Sequence, residues 1–316
     1  MDNSDALDFL VQHSKDCIFN HPVFLDKLSS GEYNISTCKD GSGKIIAALP
    51  YAKVKGKGIS RISMPAFAQF FKVVFDYPKG LSKARKFTFE KNCLVELLKG
   101  IPQADHILFH IHPEQSNLLP FIWEGYSTAV RYTFMLDTNC TLDELNSNLR
   151  PKSRRYIRNA EKSMRIEEDN TIDLLHDIRE SDFKEKGIAN PYSKQELQAL
   201  FDTGKELTQG VLLKAIDNVS NKPIGAAFFL WDDKYFHYLV SGAYPGTKST
   251  GATPYLIWKG IELAHQKGLT FNFEGSMIES IARHFSSYGS TPIPYYSVEK
   301  YNNKLVKGIK LALGRA

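Results

Sequence analysis

Two periodicities alternate along the chain, and the points where one gives way to the other mark its elements. Apolar residues at helical spacing run through residues 3–33, interrupted at His21-Pro22, with Phe19, Phe24 and Leu25 as anchors. A β pattern then predicts strands at Tyr33–Cys38 and Lys44–Tyr51 around the hairpin turn Lys39-Asp40-Gly41-Ser42-Gly43, and another at Ile59–Met64. Lys79–Lys86 reads as a basic loop. A helix is expected over Phe87–Leu98, closed by Gly100, then a strand at His106–His112, a short helix at Asn117–Trp123 and a strand at Val130–Leu136. The second half predicts helices at Thr141–Leu149, Ser153–Met164, Leu174–Arg179 and Lys194–Thr208. Strands follow at Val211–Ile216, Ile224–Leu230 and Tyr235–Val240. A helix over Pro254–Gln266 stops at Gly268, Leu269–Phe273 forms a strand, Met277–Ser287 a short helix, and Ile293–Val298 the closing strand. The basic tail reads as a final helix.

The order of elements repeats. Lys44-Ile45-Ile46-Ala47-Ala48 corresponds to Lys222-Pro223-Ile224-Gly225-Ala226, and Tyr77-Pro78 to Tyr244-Pro245. Lys99-Gly100 corresponds to Lys267-Gly268, and Phe121 with Gly125 to Phe285 with Gly289. Matches in the same order point to a diverged duplication, hence two α/β units, with domains expected at residues 1–140 and 141–316.

Composition narrows the class. With 316 residues, 42% hydrophobic and 24% charged, the chain has the material for two ordinary cores. No apolar run reaches the length of a membrane span and the first residues are acidic, so a cytoplasmic protein is expected, with peripheral membrane contact left open. Cys17, Cys38, Cys93 and Cys140 form no CxxC pair and read as reduced thiols rather than a disulfide frame or zinc site. A net charge of +5 suits an anionic ligand without demanding nucleic acid.

Candidate chemistry concentrates in Lys234–Ser276, where a strand feeds a small-residue loop and a helix start. Free backbone N–H groups and the helix dipole make such a junction a cradle for an anion, formed here by Gly246, Lys248, Ser249, Gly251, Ala252 and Thr253. The plain alternative is an ordinary connection. A basic run, Arg150 to Arg165, places Arg154 and Arg158 on one helical face, with Arg155 beside them. It reads either as a phosphate grip, for tRNA, a nucleotide-sugar or anionic lipid, or as a solvated face.

The element order, with Trp123-Glu124-Gly125-Tyr126 followed by Arg131-Tyr132-Thr133-Phe134, resembles a domain of the GNAT acyltransferase superfamily. Two copies in tandem resemble its Fem-type subgroup, which includes peptidoglycan-bridge aminoacyl transferases and FemAB-like proteins. Phe271-Asn272-Phe273-Glu274-Gly275-Ser276, then Phe285, Tyr288-Gly289 and Pro294-Tyr295-Tyr296, carry that likeness at the C-terminal end. The loop departs from the family pattern: Lys248 and Thr253 stand where Gln or Arg and Gly or Ala are usual, and the first half offers only Lys79-Gly80-Leu81-Ser82.

The resemblance implies an α+β fold of two tandem GNAT-like domains, each a mostly antiparallel mixed sheet flanked by helices. It implies transfer of an acyl group to an amine, with acyl-CoA as donor and an envelope precursor or amino-sugar nucleotide as acceptor. Aminoacyl-tRNA is the alternative donor, and a ligand-binding protein without catalysis the rival from another class. Glu274, at the end of the central strand, becomes the candidate base, against a helix-cap or ion-pair role. Ser276 reads as an N-cap rather than a nucleophile. Tyr295 or Tyr296 becomes the candidate acid for the leaving thiolate. His106, His110, His112 and Glu114 share one face of a strand, and His110 and His112 with Arg131 become the candidate acceptor wall; no metal is expected.

Overall fold

A computed structural model describes residues 4–54, 58–247, 250–275 and 277–312, the last four of them by backbone alone. Lys248, Ser249 and Ser276 lie outside the described residues. In chain order the elements are α1 (Ser4–His13), α2 (Pro22–Leu28), β1 (Tyr33–Lys39), β2 (Ile45–Val54), β3 (Arg61–Ser63), β4 (Val74–Phe75), α3 (Lys83–Gly100), β5 (His106–Ile111), α4 (Leu119–Trp123) and β6 (Ser127–Leu136). They continue with α5 (Leu142–Asn148), α6 (Pro151–Ser163), β7 (Met164–Glu168), α7 (Asp173–Glu185), α8 (Lys194–Leu207), β8 (Gly210–Asp217), β9 (Pro223–Trp231) and β10 (Tyr235–Ala243). The last are α9 (Ala252–Lys267), β11 (Thr270–Asn272), α10 (Glu279–Ser286), β12 (Thr291–Tyr301) and α11 (Lys304–Ala312).

The chain divides into two compact units, Met1–Arg131 with Pro294–Ala316, and Tyr132–Ile293. In the first, the strands run β1-β2-β3-β5-β12, with β4 on β2. β3 lies parallel to β5 for only two residues, Arg61 opposite His106 and Ile62 opposite Ile107. Phe71 then rejoins the same strand: its N–H donates to the His110 carbonyl at 2.8 Å and its carbonyl accepts from His112 at 2.9 Å. Phe19, Phe24, Phe70, Phe71 and Phe109 are fully buried and form the centre of this unit's core. The stretch read as a basic loop is shorter than expected. The Ser82 hydroxyl accepts from the Arg85 N–H and caps α3, so Lys83, Arg85 and Lys86 form that helix's first turn.

In the second unit the order is β7-β8-β9-β10-β11-β6. β10 runs antiparallel to β9 and parallel to β11. The helix α9 lies on β9 because Gly260 leaves room for the Phe229 ring; a Cβ there would stand 2.4 Å from it. Gly268 ends α9 in the left-handed conformation, as the sequence indicates. Thr141 with Glu144 and Ser193 with Glu196 form reciprocal capping boxes that fix the starts of α5 and α8. One strand went unread: Met164–Glu168, expected to close a helix, pairs with β8 as β7.

Candidate active site

β10 and β11 pair over three residues only, Tyr235 with Thr270, Phe236 with Phe271, and His237 with Asn272. Beyond them β10 continues to Ala243, whereas Phe273 turns away to donate to the Phe134 carbonyl of β6 at 2.9 Å. The two strands therefore splay, and a wedge opens between them. A bulge between Tyr238 and Val240 leaves Leu239 opposite no residue of β9. The Tyr244 N–H donates to Ile224, so by the alternation of an antiparallel ladder Gly242 pairs with β9, while Ser241 and Ala243 direct their backbone groups to the wedge.

Glu274 stands at the mouth of this wedge. Its backbone is left-handed, φ +64°, a conformation that costs a non-glycine residue about 1–3 kcal/mol and needs surrounding contacts to hold it. Those contacts are visible. Asn272 Oδ1 accepts from the Glu274 N–H at 3.0 Å and from the Thr133 hydroxyl at 2.6 Å, which fixes the amide's orientation. Its Nδ2 is therefore the atom that faces His237 Nδ1, at 3.1 Å, and Glu274 Oε1, at 3.4 Å. Gly275 follows, also left-handed; a Cβ there would lie 2.4 Å from the Tyr132 carbonyl, so the chain can leave the strand only through glycine.

The Glu274 carboxylate is bound to a histidine. His237 Nδ1 lies 2.7 Å from Glu274 Oε1, and its Nε2 lies 3.3 Å from Asp232 Oδ2. His237 is wholly buried and Asp232 nearly so, while the Glu274 side chain keeps 15% of its surface open. Burial opposes a charge on His237, but hydrogen bonds to Asp232 and Glu274 outweigh it and raise the imidazole to about 9. Both ring nitrogens then donate, one to each carboxylate. Burial likewise opposes charge on Asp232, yet the His237 bond and the N–H groups of Tyr235 and Lys234 hold it below its usual value. For Glu274 burial wins, and its carboxyl is raised despite His237. The result is a chain of Asp232 carboxylate, His237 imidazolium and a Glu274 whose proton affinity is lifted towards that of a useful base.

A cation and a phenol border the same region. Arg179 of α7 donates from Nη1 to the Ser241 carbonyl at 3.2 Å, on the wedge edge of β10, and its guanidinium lies 4.6 Å from the Phe183 ring centre. Its Nε is buried without a hydrogen-bond partner among the described residues. Burial raises the Tyr192 phenol; Arg179 acts on it in the opposite direction and Glu274 in the same one, so the phenol lies within Coulomb reach of both.

Of the expected cradle, Gly246 is exposed with φ +84° and Thr253 is half-buried. Gly251 and Ala252 are buried, with the Tyr156 carbonyl of α6 3.1 Å from where a Gly251 Cβ would stand. Lys248 and Ser249 fall outside the described residues. α6 thus lies against the start of α9, which brings its basic residues next to the loop. Arg155 and Arg158 are exposed there. Arg154 is committed elsewhere, donating to the carbonyls of Asn146, Ser147 and Leu149 at the end of α5.

Residues 146–276 match the family model described as an acetyltransferase (GNAT) domain. Among solved structures, one titled as FemX is similar over 98% of both chains, with a TM-score of 0.67 and 10% identity. L-PGS from Bacillus licheniformis is similar over 96% of this chain and 92% of that one (TM-score 0.52, 12% identity). A tandem GNAT protein from the clavulanic acid biosynthesis pathway is similar over 94% of each (TM-score 0.51, 10% identity). None of the curated proteins matches the sequence. The chain has a GNAT fold.

Within this GNAT-fold chain, the remaining candidates gather in the first unit. Tyr295 is buried on β12; its hydroxyl accepts from Arg131 Nε at 3.1 Å and its ring meets His110 edge-on at 5.6 Å. His110 Nδ1 bonds the Gln69 carbonyl, and burial with the nearby Arg131 charge lowers its imidazole to about 4, so it is neutral at pH 7. Tyr296 is half-buried opposite Ile111. His112 has no exposed surface and packs edge-on against Phe70, and His106 bonds Glu299 and stacks on Tyr301. His106, His110 and His112 thus have three separate sets of neighbours, and no cluster of metal-binding side chains occurs among the described residues. Sequence reasoning singled out Glu274 but missed His237, Asp232, Arg179 and Tyr192. The one available signal was a histidine inside the apolar strand Tyr235–Val240, a position where an unpartnered imidazole would be costly.

Proposed function

We propose that the chain is an N-acyltransferase that holds its acyl donor in the wedge of the second unit and uses Glu274 as the base toward an acceptor amine. The observation that carries this reading is the parting of β10 and β11 at His237 and Asn272, with the half-buried, histidine-bound Glu274 at the opening. The donor carbonyl lies against the bulge, where the Leu239 N–H receives the developing oxyanion. Glu274 takes a proton from the acceptor ammonium, and the freed nitrogen attacks the carbonyl carbon. As the tetrahedral intermediate collapses, the bond to the leaving sulfur breaks, the proton held by Glu274 passes to the departing thiolate, and the nitrogen releases its second proton to water. His237, charged throughout, keeps the carboxylate oriented and limits its rise in proton affinity. In the first unit, Arg131, His110 and Tyr295 are the residues we assign to the acceptor, an envelope precursor or amino-sugar nucleotide; His112, fully buried, can act there only through its neighbours.

Acyl-CoA is the donor we favour, with its diphosphate at Gly246–Thr253 and with Arg155 and Arg158 beside it. Aminoacyl-tRNA is the second reading, supported by the exposed cations of α6, which extend from Lys152 to Lys162, well past the loop. Thermal shift separates the two: acetyl-CoA raises the melting temperature on the first reading, and only charged tRNA does so on the second. Glu274→Gln keeps the fold and the donor-induced shift while lowering kcat/KM by about 10²–10⁴. Full activity in that variant would remove Glu274 from the mechanism.

A further inference from the structure

The first unit carries a surface that the donor and acceptor assignments leave unused. α4 is anchored inward by Pro120 and Phe121, and turns Leu119, Ile122 and Trp123 outward at 43%, 47% and 54% exposure. The spacing i, i+3, i+4 puts these three on one helical face. Phe87, in the first turns of α3 and 40% exposed, meets the Trp123 ring edge-on at 6.4 Å and extends the patch. Lone exposed apolar residues need no explanation; four that adjoin one another do.

The patch has a basic border. Lys83, Arg85 and Lys86 occupy the first turn of α3, and Lys79 precedes it; all four are exposed. Among the described residues Lys83, Arg85 and Lys79 have no carboxylate partner. A cavity of about 360 Å³ opens here, lined on its polar side by Tyr77, Lys83, Lys86 and Asn117 and on its apolar side by Phe87 and Phe121. Both acids of its lining are already engaged: Glu90 accepts from Tyr77 at 2.7 Å and from Asn117 at 3.4 Å and pairs with Lys86 at 3.7 Å, and Glu114 pairs with Lys72 at 3.5 Å. The two lysines and two glutamates of the lining balance, and Lys79 and Arg85, outside that lining, add positive charge at its border.

We propose that this face docks the protein on an anionic lipid bilayer, with Trp123, Ile122, Leu119 and Phe87 entering the headgroup layer and Lys79, Lys83, Arg85 and Lys86 meeting lipid phosphates. The mixture of residues favours a bilayer over a protein partner. Lysine is depleted at protein–protein interfaces, whereas tryptophan with aliphatic residues and flanking lysines is what a membrane interface selects. Charge complementarity then predicts selectivity for anionic lipid.

The test is co-sedimentation of the full chain with vesicles of phosphatidylcholine alone or with one quarter phosphatidylglycerol. The wild-type chain pellets with the anionic vesicles and stays in solution with the neutral ones. The pair Phe87→Ser, Trp123→Ser and the pair Lys83→Glu, Lys86→Glu each lower the bound fraction about tenfold or more at unchanged melting temperature. The proposal is overturned if wild-type protein ignores the anionic vesicles at low salt. It is equally overturned if only Arg155→Glu with Arg158→Glu abolishes binding, or if the Trp123 pair changes the oligomeric state and not the pelleted fraction.

Discussion

The buried imidazolium between two carboxylates gives the site a pH dependence whose direction is fixed. As the proposed base, Glu274 works only when ionised, so kcat/KM is expected to rise as pH passes its raised value from below. The His237 charge pulls that value down, against burial, which pushes it up. His237→Asn removes the cation and leaves the burial, so the acid limb of the profile moves to higher pH, while a limb that stays in place would show that Glu274 is not the titrating group. Because the imidazole is raised to about 9, the wild-type protein keeps this bias across neutral pH. Glu274 was legible as a residue at a strand end. The rest of the triad was not, since Asp232 sits in a turn and only the fold brings its carboxylate to within 3.3 Å of His237. Nothing local in a sequence distinguishes such a turn aspartate from the many that bond only their own backbone N–H groups, which Asp232 also does with Lys234 and Tyr235.

Elements bounded by strong local signals were read closely. Glycine at both ends marked α9, and continuous apolar, β-rich runs marked β2, β9 and β10. Short strands defeated the same reasoning: β4 has two residues and β7 five, too few for a period to register, and both exist because a neighbouring strand supplies their hydrogen bonds. The wedge itself is a property of where pairing stops, which the sequence shows only through Gly275. That residue makes a sharp test of the element. A methyl group at Gly275 meets the Tyr132 carbonyl and the Thr133 Cα, and φ +68° adds backbone strain. Gly275→Ala is expected to cost about 2–4 kcal/mol, read from the urea midpoint, and to lower donor affinity by displacing Glu274. Gly246→Ala, with nothing within 4 Å of the new methyl group, carries only the strain and should cost less.

At the scale of the whole chain, the two units treat the same strand geometry in opposite ways. In the first, β3 and β5 part after two residues, and Phe71 closes the gap by bonding both His110 and His112. In the second, β10 and β11 part and nothing among the described residues rejoins them; Arg179 occupies one carbonyl on the exposed edge and the rest of that edge stays available to a ligand. The duplication read from the sequence therefore yields two copies of the frame and one open wedge. On the proposed reading, a single donor site per chain is expected. Titration of acetyl-CoA by calorimetry should give one site. Arg155→Glu with Arg158→Glu should weaken it by about tenfold at low salt, with the difference shrinking as ionic strength rises, because exposed charges beside a diphosphate are screened. Lys83→Glu with Lys86→Glu, at the corresponding helix start of the first unit, should leave affinity and stoichiometry unchanged. Two sites of similar affinity, or a loss of binding caused by the first-unit pair, would place the donor at α3 and overturn the assignment of roles to the two halves.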